Sequence, residues 1–160
     1  MTPNIFDRPF DLQAALPYLL PKAIQWAEAR SQEIQAGGVS LAEKGLQIAR
    51  AVGVQQPERI RIAFVEKLPL PEDEMLREAA LETGLLGPGM VGLTLGYSVL
   101  ICQGHDSLRL LSHEFRHVYQ YEQAGSIAAF LPSYLQQIAI LGYSNAPFEI
   151  DARAHEIIDA

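Results

Sequence analysis

His113, Glu114 and His117 are the residues of this chain best placed to do chemistry, in the run Ser112-His113-Glu114-Phe115-Arg116-His117-Val118-Tyr119-Gln120. On a helix, residues four apart point the same way, about 40° apart round the axis and roughly 6 Å along it. Two imidazoles so placed can grip one zinc ion. Glu114 projects from the next position round and reaches a water beside the metal rather than the metal itself. This is the division of labour in a zinc hydrolase, with two His ligands and a Glu as general base. The bland alternative is two surface histidines that happen to be spaced by four, in a helical interaction domain that holds no metal.

A catalytic zinc needs a third protein ligand and one open position for water. The metzincin pattern would put Gly at 120 and His at 123, but Gln120 and Gln123 stand there. The ligand must come from elsewhere, and Pro147-Phe148-Glu149-Ile150-Asp151-Ala152-Arg153 offers it. Glu149 and Ala152 share one helical face, and a small Ala one turn from a ligand lets two helices pack closely enough to share a metal. Asp151 and Glu156 are alternative third ligands. Round the His helix, Leu108, Leu111, Phe115 and Val118 form an apolar flank, and Arg109, Ser112, Arg116, Gln120 and Gln123 a polar one. The His pair falls at the boundary, where the wall of a cleft would be, with Glu114 nearer the apolar side.

The elements that must position these groups read as helices, then strands, then helices. Pro21 suits the first turn of a helix running to Gly37. Ser40-Leu41-Ala42-Glu43 has capping-box spacing and predicts a helix ending near Gly53. Arg59 to Glu66 alternates, with Ile60, Ile62 and Phe64 on one face, and predicts a half-buried strand. Glu72 to Thr83 reads as a helix and Leu85 to Gly89 as a loop. Met90 to Cys102 reads as one or two strands, or a hairpin. The His helix is expected from a cap at Asp106 or Ser107 to a stop at Gly125. Ser133 to Leu141 and a segment from Asn145-Ala146-Pro147 onward complete the helices. The expected class is α+β, with a small mixed or antiparallel sheet packed against the helices. One domain over 1–160 is expected: 1–89 a helical and strand part, 90–160 the metal-binding part.

His113-Glu114-x-x-His117 followed by Glu149-x-x-Ala152 resembles the gluzincin clan of zinc metallopeptidases. In that clan two His and a Glu from a second helix hold the zinc, and the Glu of the first motif is the base. The resemblance therefore implies a zincin-like fold, zinc on His113, His117 and Glu149, Glu114 as base, and a peptide or protein substrate. Residues 149 to 153 are most similar to the Glu-x-x-Ala-Asp signature of the clan's membrane and minimal single-domain members. The ImmA/IrrE-type regulatory peptidases also share the first motif and a Glu-x-x-Ala helix. The resemblance covers about residues 90 to 160. Arg153 departs from it: many relatives have an Asp there that orients the first ligand His, and Arg cannot accept that hydrogen bond. Asp151, Asp106 or a backbone carbonyl is left to do so. Tyr143, Tyr119, His155 and Arg153 are the candidates for stabilising an oxyanion. A zinc-binding relative without turnover, serving regulation or interaction, is the alternative.

Composition narrows the setting. The chain has 160 residues, 49% apolar and 19% charged, as soluble globular domains do. A net charge of −7 and no cluster of Lys or Arg disfavour nucleic acid and anionic membranes. Cys102 is the single cysteine, so no internal disulfide forms, which fits a reducing compartment. Met1 to Pro17 lacks a basic stretch followed by an apolar core, so no signal peptide is expected, and no run is long and apolar enough for a bilayer. The expected location is cytoplasmic.

Overall fold

The computed structural model describes residues 11–158. The expectation about a leader falls mostly on residues 1–10 and lies outside them. Six helices surround a four-stranded sheet: α1 (Leu12–Gly37), β1 (Val39–Ser40), α2 (Glu43–Ala51), β2 (Arg61–Val65), α3 (Glu74–Glu82), β3 (Gly92–Leu95), β4 (Ser98–Cys102), α4 (Leu108–Ala124), α5 (Ile127–Leu141) and α6 (Pro147–Ala154). The class is α+β, as expected. The sheet order is β1-β2-β4-β3. β2 and β4 run parallel, while β1 and β3 pair antiparallel at the two edges. The sheet is therefore mixed. Among the described residues no single helix is long and apolar enough to cross a membrane.

Local rules account for the element that matters most. Ser107 caps α4 by accepting from Leu110 N at 3.1 Å. Gly125, at φ 102, ends it in the left-handed region that glycine tolerates. The hairpin expected within 90–102 forms from β3 and β4, turning through Gly96 at φ 70. β4 is buried along its whole length, and Val99 and Ile101 pack with Phe115 and Val118 of α4 in one core. A second core lies on the other side of the sheet, where Leu95 and Leu100 meet α1 and α5.

Four expectations are corrected. α1 begins at Leu12, with Asp11 as cap, and carries Pro17 and Pro21 inside it. α5 likewise begins at Ile127, capped by Ser126, and carries Pro132. In each case the helix runs through a proline near its expected start, because burial of α1 against α5 outweighs a lost backbone bond. The capping box at Ser40 is not used: Ser40 lies in β1, and α2 starts at Glu43 without a side-chain cap. Phe64 is 45% exposed although Ile60 and Ile62 of the same alternating set are buried.

Candidate metal centre

α4 lies across the β3–β4 hairpin and presents His113, Glu114 and His117 to one place. Gly92 permits this approach, since a Cβ there would meet the Glu114 carboxylate at 3.1 Å. Thr94 of β3 donates its hydroxyl to Glu114 Oε1 at 2.9 Å. α6 supplies the third side chain. Pro147 sits at its first turn, and Ala152, fully buried, lets it press against α4.

His113 Nε2 lies 3.2 Å from Glu149 Oε1, and His117 Nε2 lies 3.0 Å from Glu149 Oε2. The three ligand atoms fall within 4.8 Å of one another. The expected convergence of two imidazoles and the carboxylate of the last helix is what the fold provides. Ligand atoms about 2.1 Å from a tetrahedral ion stand about 3.4 Å apart, so these separations fit a zinc-sized cation.

The far nitrogens of both rings are held. His113 Nδ1 meets Glu156 Oε2 at 2.8 Å, and His117 Nδ1 meets Gln120 Oε1 at 2.7 Å. Gln120 Nε2 donates to Phe148 O and to Asp151 Oδ2, both at 2.9 Å, which fixes its oxygen as the acceptor facing His117. A neutral His117 thus carries its proton on Nδ1 and turns the Nε2 lone pair toward Glu149. Two lone pairs and a carboxylate aimed at one buried point repel unless a cation lies among them. Without a metal, protons on the two rings serve as that cation. Burial pulls the His117 imidazole down, but the Glu149 carboxylate outweighs it and holds the imidazolium above its ordinary range. His113 is raised in the same way, against its burial, by Glu149 and by the Glu114 charge. Glu149 is held well below the carboxylate range by the two imidazoles despite its burial.

Glu114 is buried, and burial raises its carboxyl against the pull of the two imidazoles. It borders an open cleft of about 260 Å³ together with His113, Tyr143 and Glu156. Tyr143 lines this cleft as well, and its burial and the Glu149 charge push its phenol up.

The remaining sequence candidates are not among the three ligands. Asp151 does not orient His113: it accepts from Arg116 at 2.8 and 3.3 Å and from Gln120. Arg153 is exposed and donates to Ser144 O. His155 Nδ1 turns back on Asp151 O at 2.8 Å. Tyr119 lies under the Arg116 guanidinium, 3.9 Å from its centroid. Glu156, weighed as a ligand two turns along the last helix, stands beyond the end of α6 and backs His113 instead. The polar flank of α4 is solvated only at its ends, Arg109 and Gln123, for Ser112 and Gln120 are buried under α6 and the chain that follows it.

Sequence reasoning missed three contributors. Gln120 had a signal, being three residues past His117 on the same helix. Thr94 and Tyr134 had none. The Tyr134 hydroxyl donates to Glu149 Oε2 at 2.6 Å from α5, entirely through tertiary packing. No family model, curated protein or solved structure matches the chain.

Proposed function

We propose that the chain is a zinc-dependent metallopeptidase of gluzincin type, with His113, His117 and Glu149 as ligands and Glu114 as general base. One observation carries the reading: both Nε2 atoms, with their Nδ1 partners already engaged, face the two oxygens of one buried carboxylate. Two imidazoles and a carboxylate are the donor set of a catalytic rather than a structural zinc site. Bound zinc supplies Lewis acidity, which makes water acidic at neutral pH and polarises a carbonyl.

The chain's own groups do the rest. Glu114, made more basic by burial, accepts the proton of the attacking water. It then hands that proton to the departing amine. Thr94 holds one Glu114 oxygen and leaves the other toward the cleft. Tyr134 and the imidazoles fix Glu149. β3 is the sheet edge beside the cleft, so an extended substrate can add to it through backbone hydrogen bonds.

Glu114→Gln is the test. The expected variant holds one zinc per chain by elemental analysis, as the parent does, and loses about 10²–10⁴-fold in peptide turnover. Equal cleavage of a peptide library by both proteins would remove Glu114 from the reaction. Zinc without turnover in the parent would leave a binding protein. No zinc in either would end the reading.

A further inference from the structure

A second cavity shares Met90, Gly92, Glu114 and Tyr143 with the open cleft and runs from the metal centre into the molecule. Among the described residues, the only charged or titrating acid and imidazole side chains that line it are Glu114, His117 and Glu149. Away from them the wall is almost wholly apolar. One face of α1 forms much of it, through Leu12, Leu16, Leu19, Ala23, Trp26 and Ala27. The other walls come from α3, α5 and β3. Leu12 and Ala27 are separated by about 22 Å of helix at 1.5 Å per residue. The cavity holds about 100 Å³. At 10–15 Å³ for each water-sized group, that is room for roughly seven to ten of them. The lining follows α1 from Leu12 to Ala27, so this volume is spread along the helix rather than gathered at one point. A lone aromatic side chain needs a short, wide pocket; this one extends along α1, apolar at one end and bordered by Glu114, His117 and Glu149 at the other.

We propose that this cavity is a channel for one unbranched aliphatic chain, and that the amide met at the metal centre carries an acyl tail of about seven to ten carbons. The hydrolytic half rests on the peptidase reading; the binding half does not. In the reaction, the water oxygen bonds to the acyl carbon and the C–N bond breaks. The amine leaves with the proton relayed by Glu114, so a fatty acid and a free amine result.

Trp26 is the single tryptophan of the chain and lines the channel, so its emission reports filling. The full chain, stripped of metal by EDTA, is titrated with straight-chain fatty acids of about four to fourteen carbons. Affinity is expected to rise about fourfold per methylene up to about ten carbons and then level off. Ala23→Leu, which narrows the bore, should move that plateau to shorter chains while zinc stoichiometry stays unchanged. Affinity that ignores chain length overturns the channel, as does unchanged Trp26 emission. Binding of N-acetyl-phenylalanine amide as tight as that of decanoate also overturns it, in favour of a side-chain pocket. Because the titration is done without metal, its failure leaves the zinc reading intact. A protein that takes decanoate but no zinc would keep the channel and lose the peptidase.

Discussion

His113 and His117 belong to one motif but are held by opposite kinds of surroundings. Behind His117 the protein is dry and uncharged at first contact: the neutral amide of Gln120, itself buried, is pinned by Phe148 O and by Asp151. Asp151 is tied in turn to Arg116, whose other nitrogen donates to Val52 O at the end of α2. This imidazole is locked by a network spanning three helices. Behind His113 stands a carboxylate, Glu156, outside any helix, and it leans on Arg109, whose side chain is 69% exposed. That imidazole is held from the rim. The interior partner fixes geometry at a cost in stability if lost, and the rim partner tunes ligand basicity through charge, where solvent and salt can reach it.

Breaking the interior side should have the larger effect. Gln120→Leu keeps the volume roughly and removes both hydrogen-bonding ends. It leaves the buried His117 Nδ1–H without a partner, at about 1–3 kcal/mol, and takes one donor from Phe148 O and one from the half-exposed Asp151. Urea unfolding of the metal-free protein should show that loss, and chelator competition should show zinc held about 10–100-fold more weakly. Unchanged stability and affinity would mean that packing alone orients His117.

The two sides also differ in how far the sequence revealed them. α4 was legible to its caps because Ser107 and Gly125 act through local rules that need no tertiary knowledge. Glu149 was legible because Pro147 announces a helix start and Ala152 a close contact. Gln120 could have been read from its spacing. Glu156 could not: counting it as helical put it on the Glu149 face, whereas α6 stops at Ala154 and the chain turns so that Ile157 N donates to Ser112 Oγ. The first nine residues of α1 were lost for a related reason. Reading Pro21 as a start hides Leu12, Leu16 and Leu19, half of the stripe along the deep cavity. The α+β class survived these errors because β-branched and apolar runs, not exact boundaries, decide it.

Glu156→Gln sharpens the comparison from the rim. A glutamine oxygen still accepts from His113 Nδ1, so the ring stays oriented and only the charge is lost. Zinc affinity should fall about tenfold, at the low end for an outer partner. Stability should change by about 1 kcal/mol or less, since the guanidinium of the pair it breaks is 69% exposed. A stability loss as large as that of Gln120→Leu would erase the distinction between a locked and a tuned imidazole.

Arg109→Ala should have the smallest effect and is the most discriminating in kind. Its contact with Glu156 at 2.7 Å joins an exposed guanidinium to a mostly covered carboxylate and is worth about 1 kcal/mol or less. Removing it leaves the Glu156 carboxylate in place and less neutralised, so the His113 partner becomes, if anything, a stronger acceptor. Zinc affinity should stay within about threefold of the parent, and the residual difference should shrink as salt is raised, because exposed charges are screened over about 3 Å at 1 M. A difference that persisted at high salt would mean that Arg109 acts by geometry, holding the chain beyond α6 against α4, and that the rim of the site is as firmly built as its interior.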